Sequence, residues 1–232
     1  MRSTALFIAT IAALATLGFT GCSNTQARPD WVRKLTFWEK EEIDPRGNLA
    51  PYKRLAALRE TKKKLPDMPP AEQQALAAKW ADEYRVESDP LVKAQLVRVI
   101  AYCGSPVAGE ILNEAIRDTD REIRIAACDA WIVHGGPQMV TQLSNIWRTD
   151  PAIDVRLAAG RSLGKAEGPE VVKALAAGLE DPSPAIQYRA VASLRETTGK
   201  DFGDDANAWR EFVGGGEPKE ISTARRLKLE YF

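Results

Sequence analysis

Histidine is almost absent from this 232-residue chain, which has one, and cysteine is scarce at three. Metal clusters usually draw three or four ligands from Cys, His and carboxylates, so no dedicated metal centre is expected. The same scarcity excludes a disulfide scaffold. An excess of one charge is missing too, because 32 Lys+Arg balance 32 Asp+Glu to a formal net charge of zero. A strongly basic nucleic-acid binder is therefore not expected. The chain also lacks a Gly-x-Ser-x-Gly elbow, a Gly-rich phosphate loop ending in Lys, and a His-Glu-x-x-His pair. The one histidine, His134, stands in Val133-His134-Gly135-Gly136, where ending a helix accounts for it. No catalytic residue and no cofactor are expected.

Long hydrophobic runs are absent but for one. After Arg2, residues Ala5 to Leu17 are continuous Ala, Leu, Ile, Phe and Thr, followed by small residues and Cys22. The run is shorter than the roughly 20 residues of a membrane span and has the charged start and small exit of a secretory signal. Residues 1–21 are thus expected to be a signal sequence. The stretch Phe19-Thr20-Gly21-Cys22 resembles a bacterial lipobox, with Phe19 where Leu is usual. That resemblance implies lipidation of Cys22 and a place in the cell envelope, anchored to the membrane by lipid.

Residues 22–48 are expected to be a tether, broken by Pro29 and Pro45. Trp31, Leu35 and Trp38 within it could lie against lipid headgroups or fold back as a cap; the acidic Glu39, Glu41, Glu42 and Asp44 beside them favour the cap. Residues 214–232, opening on Gly214-Gly215-Gly216 and carrying Arg225, Arg226 and Lys228, are expected to form a flexible tail.

What the chain has in abundance is repetition. Asp89-Pro90-Leu91-Val92-Lys93 is echoed at Asp120–Arg124, and at Asp150–Arg156 and Asp181–Gln187 with two further residues before the anchor. Anchored on Lys93, Arg124, Arg156 and Gln187, the period is 31 or 32 residues. Each anchor is followed by small residues, then by an apolar residue seven positions on: Ile100, Trp131, Leu163 and Leu194. That spacing reuses one helix face in every copy. A second helix in each period is expected to open at Pro106, Pro137 and Pro169, the first-turn position that proline suits. Glycines at the joints (Gly104, Gly135, Gly136, Gly164, Gly168) suggest left-handed helix ends. Asp89, Asp120, Asp150 and Asp181 are expected to cap the helices that follow them. Helices are further expected over Pro51–Lys64, Pro70–Glu87 and Asp205–Phe212. Cys103 and Cys128 fall six positions out of register in neighbouring copies, so two buried, unpaired thiols are expected.

The pattern Asp-x-x-x-(Val/Ile)-Arg-x-x-Ala-Ala, clearest at Ile123–Ala127 and Val155–Ala159, resembles HEAT repeats. More narrowly it is similar to the short bacterial HEAT-like type first associated with phycobilisome lyases. With the tail Thr198–Gly203 before Ala208-Trp209, it resembles the HEAT-repeat lipoproteins common in planctomycete-like bacteria. Lys93 and Gln187 depart from the arginine of the pattern. The resemblance implies an all-α, right-handed solenoid of about four to five helical hairpins, with capping helices, over residues 49–213. It also implies a scaffold that binds another protein through its concave face, lined by the Arg-bearing helices. Arg98, Asp129 and Arg161, each five past its anchor, should stack as alternating charges, and long arginines could there bridge repeats through Asp129. Arg189, Tyr188 and Trp131 are further candidates for that face, since Arg and aromatic residues dominate binding hot spots; Trp131 also fits the core column of Ile100 and Leu163. Kinship with lyases leaves an enzyme or chromophore-handling accessory as an alternative, and a purely structural envelope protein as another. HEAT-like hydroxylases use repeated His-Glu pairs to hold iron, and this chain has none.

Overall fold

Proline marks where the helices begin. In the computed structural model, which describes residues 50–221, six helices carry Pro in their first turn, where the missing N–H costs nothing. The described helices are α1 (Pro51–Lys64), α2 (Pro70–Val86), α3 (Pro90–Ile100), α4 (Pro106–Ala115), α5 (Arg121–His134), α6 (Met139–Thr149), α7 (Ile153–Leu163), α8 (Pro169–Ala176), α9 (Pro184–Thr198) and α10 (Ala206–Val213). A 3₁₀ turn, Ala177–Glu180, extends α8. The expected signal sequence, Cys22, the tether and residues 222–232 lie outside the described residues.

Helices α1, α3, α5, α7 and α9 pack in sequence as one row; of the alternate helices, which form a second, α2 packs on α4, and α6, α8 and α10 pack in sequence. The architecture is an all-α solenoid of tandem helices. Neither row buries its apolar face alone, so each repeat completes the core of its neighbours. The register read from the anchors holds throughout the first row. The residue before each anchor (Val92, Ile123, Val155, Ile186) is buried, as is the residue seven past it (Ile100, Trp131, Leu163, Leu194). The residue three past it (Leu96, Ala127, Ala159, Ala190) is buried as well, and the three columns share one helix face. Ala127 and Ala159 are fully enclosed at the helix–helix seam. Replacing Ala159 by leucine should overpack that seam and lower stability by about 1–3 kcal/mol. Urea unfolding reads this directly, and a wild-type midpoint would show the register to be misplaced.

Several local expectations are corrected. Asp89 caps α3 by accepting from the N–H of Leu91 and Val92, and Asp120 caps α5 by accepting from Glu122. Asp150 and Asp181 do not cap. Each lies two residues before the N-cap, which is Ala152 for α7 and Ser183 for α9, and accepts that residue's N–H instead. Pro137 stands in a turn two residues ahead of α6 rather than inside it. Gly135, Gly136 and Gly168 have the positive φ expected of them; Gly104 does not, and Gly164 is right-handed. Its reason is space: a Cβ there would come within 2.9 Å of Ser193 Cβ and Oγ.

At the far end, Trp209 of α10 is buried against Phe202 and Phe212 and donates its indole N–H to the Gly203 carbonyl at 2.8 Å. Residues 214–221, the described part of the segment read as a flexible tail, stay with the fold. Gly216 N–H donates to Glu211 at 2.8 Å, and Ile221 N–H to the Asp201 carbonyl at 2.8 Å. Those bonds satisfy the open end of α10 and pin the chain across the last turn.

Candidate functional site

The first row of helices carries two charged columns, and they behave oppositely. One is the anchor column. Lys93 Nζ is 2.6 Å from Asp118, Arg124 reaches Asp150 with two nitrogens at 2.9 and 3.2 Å, and Arg156 pairs with Asp181. Each cation therefore reaches forward to the carboxylate that opens the next repeat. Each carboxylate also accepts a backbone N–H two residues on: Asp120 to Asp118 at 3.0 Å, Ala152 to Asp150 at 2.9 Å, Ser183 to Asp181 at 2.9 Å. Arg54 and Glu87 make the same arrangement one repeat earlier, with Asp89 N–H donating to Glu87. The side chains of Arg124 and Asp150 are only 13% and 7% exposed. This column is a ladder that ties repeat to repeat, and its charges are spent. Gln187 ends it by donating to the Asp181 carbonyl at 2.7 Å.

Electrostatics follows from that packing. Burial pushes the carboxyls of Asp118, Asp181 and Glu87 upward. Their cations and backbone donors outweigh it and hold all three below the ordinary carboxylate range. On Asp118 the opposing groups are Lys93, the Asp120 N–H and the Tyr84 hydroxyl, 3.2 Å away.

The second column is the one read as a binding surface. Arg98, Asp129 and Arg161 occupy equivalent positions on α3, α5 and α7, the first two half-buried and the third exposed. Among the described residues, no ion pair within 4.0 Å joins them to one another or to any other group. The bridging through Asp129 that the spacing permitted is not made. On α9, Tyr188 is 62% exposed, and Arg189 is half-buried with Glu196 at 4.0 Å. Trp131 is core: it is 1% exposed, with its ring edge-on to His134 at 5.8 Å.

Cys103 and Cys128 are both buried and free, in keeping with their expected role as small apolar residues. Burial pushes the Cys103 thiol up to about 11, and that of Cys128 rises further for the same cause, helped by Asp129 and Asp150. Neither is a poised nucleophile. Among the described residues, no three His, Cys, Asp or Glu side chains are grouped as a metal site, and no helix is long and apolar enough to cross a membrane.

Comparison with known families places this geometry. The HEAT-repeat model matches residues 77–163 and again 140–207, together more than half of the chain. The chain belongs to the HEAT-repeat family, whose members are typically protein-interaction scaffolds. No curated protein matches it.

The sequence reading missed the carboxylate half of the ladder. The signal was available: counting six residues back from each anchor gives Glu87, Asp118, Asp150 and Asp181, at the same 31- and 32-residue spacing as the anchors themselves.

Proposed function

We propose that this protein is an envelope scaffold, held at the membrane by lipid on Cys22, that binds another protein through the face carrying Arg98, Asp129, Arg161, Tyr188 and Arg189. The observation that carries this reading is the contrast between the two charged columns. The anchor column is paired rung by rung, whereas Arg98, Asp129 and Arg161 have no ion pair among the described residues. Unpaired charges on a preformed surface steer and orient a partner, while paired ones are already committed. Tyr188 adds an exposed aromatic anchor of the kind that concentrates binding energy.

The test is a crosslinked pull-down from native envelopes, comparing wild type with an Arg98→Glu/Arg161→Glu variant. Because neither arginine has an ion-pair partner among the described residues, the variant is expected to fold with wild-type stability, checked by its melting curve. A protein captured by wild type and lost from the variant is the expected outcome. Capture unaffected by the variant would overturn the assignment of this face. The absence of any captured protein would overturn the scaffold reading in favour of an enzyme accessory or a purely structural role. Release of the protein from membranes by Cys22→Ala checks the anchor separately.

A further inference from the structure

The first described helix is charged unlike the rest of the fold. Helix α1 carries six Lys or Arg and one acid, whereas residues 65–221 carry 17 Lys+Arg against 25 Asp+Glu. The register of the ladder says where two of those bases and their neighbours stand. Arg54 is the anchor of α1, since it pairs with Glu87 as Lys93 of α3 pairs with Asp118. Tyr52 is therefore two before its anchor, as Leu91 is, and Arg59 is five past it, as Arg98 is. Residues seven apart share one helix face, and α1 and α3 pack side by side.

What those positions leave in water is apolar and cationic. Tyr52 and Leu91 are 58% and 66% exposed, and Tyr102, just past α3, is 43% exposed; they are three of the seven large apolar side chains left exposed among the described residues. Lys62 of α1 lies over the Tyr102 ring, 4.1 Å from its centre, and so joins the ends of the two helices. Arg59 is exposed and Arg98 half-buried, and among the described residues neither has a carboxylate within 4.0 Å. The one acid of α1, Glu60, is taken by Lys63 at 2.7 Å. Between the two exposed rows, Leu55 is partly buried and Ala94 buried, which makes the floor apolar. Neighbouring helices lie about 10 Å apart, and seven helical residues advance about 10 Å. Tyr52, Leu91, Arg98 and Arg59 thus mark a square about 10 Å on a side, with two apolar corners and two cationic ones.

We propose that this square docks a short acidic, amphipathic helix of a protein partner, laid across α1 and α3. Its carboxylates, seven residues apart, meet Arg59 and Arg98, and its apolar edge covers Tyr52 and Leu91. The proposal rests on the scaffold reading above and names the kind of segment that the α1 end of that face takes. Charge complementarity selects the occupant. A basic segment would meet Arg59, Arg98 and Lys62, and an acidic one without apolar residues would leave Tyr52 and Leu91 in water. An extended anionic surface, membrane or nucleic acid, fits poorly. Farther along the same face, Glu122 and Asp154 stand in the column of Tyr52 and Leu91, and Asp129 in that of the arginines, so such a surface would press against like charge.

The test uses the full chain and a fluorescein-labelled, alanine-based helical peptide of about 18 residues, with Glu and Leu each repeated every seven residues along one face. Fluorescence anisotropy reads the binding. Saturable binding that weakens with added salt is expected. Peptides with Lys for Glu, or with Ser for Leu, should bind at least about tenfold more weakly. Arg59→Glu and Tyr52→Ser alter exposed side chains, so their melting curves should match wild type, yet each should weaken the Glu/Leu peptide by about fivefold or more. No saturable binding, equal binding of the Lys peptide, or wild-type affinity of both variants would overturn the proposal. Equally tight, Arg59-dependent binding to phosphatidylglycerol vesicles would overturn it in favour of a lipid surface. Self-association lost from Arg59→Glu would overturn it in favour of a second copy of the chain. Failure here is distinguishable from failure of the scaffold. A pulled-down partner that survives Arg59→Glu but is lost from Arg98→Glu/Arg161→Glu overturns the α1 docking site alone. Arg59-dependent peptide binding with no protein captured from envelopes supports the docking site and counts against the scaffold reading alone.

Discussion

Gly178→Ala is expected to destabilise the protein by about 3 kcal/mol, although a methyl group in a helical turn is normally favourable. The reason is Trp147, which is 1% exposed and lies between two glycines. A Cβ at Gly178 would collide with Cζ2 of the indole and stand 2.9 Å from Cε2 and 3.0 Å from the Ala190 Cβ. A Cβ at Gly160 would collide with the opposite side of the same ring, at Cζ3, with Cε3 at 2.7 Å. Neither glycine has a positive φ, so backbone freedom does not explain them. They are there to admit a tryptophan between α7 and the turn that follows α8. Thermal unfolding should show the midpoint of Gly178→Ala lowered by roughly 6–12 °C for a domain of this size. The cycle with Trp147→Phe identifies the cause. Phenylalanine costs stability by itself, but in its background Gly178→Ala should cost distinctly less, since contacting residues do not add. An identical cost in both backgrounds would mean that Gly178 answers to something other than the indole.

Nothing in the local sequence announces that clamp. Trp147, Gly160 and Gly178 lie on three separate elements, and helical periodicity reports which face a residue occupies, not which ring it will meet. The repeat register was legible for the complementary reason. Val155, Ala159 and Leu163 are spaced four apart on one helix, and burial of one requires burial of the others. The charged columns fall between these cases. The stacking of Arg98, Asp129 and Arg161 follows from their common offset, but whether their side chains meet depends on reach across neighbouring helices, and they do not meet. Misreading Asp150 and Asp181 as caps has a chemical origin. An aspartate that caps a helix and one that accepts an N–H two residues on from a preceding turn belong to the same residue type and nearly the same position. The distance to the anchor was the mark of the difference: Asp150 and Asp181 stand six residues before Arg156 and Gln187, whereas Asp89 and Asp120 stand four before Lys93 and Arg124, so the caps fall at Ala152 and Ser183 and the carboxylates are left for Arg124 and Arg156.

That pairing yields the second large expectation. Arg124→Met should cost about 2–4 kcal/mol, because it leaves Asp150, whose side chain is 7% exposed, with a backbone N–H but no countercharge. It also removes donors to the Asp118 and Thr119 carbonyls at 2.9 and 3.1 Å, loosening the turn that caps α5. Arg124→Lys should retain most of the stability, since Lys93 makes the equivalent pair with Asp118; loss of the second nitrogen and of the carbonyl contacts should cost about 1 kcal/mol. The ladder also predicts acid lability. Asp118, Asp181 and Glu87 are held below their ordinary values in the fold, so protons bind the unfolded chain more readily than the folded one. Their contribution is fully present above the unfolded carboxylate range and is lost as pH falls through the lower, folded values. Stability in urea should therefore be level from neutrality to roughly pH 5 and decline steeply below about pH 4. Asp118→Asn should start lower at pH 7 and decline less, because one titrating rung is gone while an acceptor for the Asp120 N–H remains. Equal acid slopes for Asp118→Asn and wild type would show that the rungs tie the repeats together by packing rather than by charge.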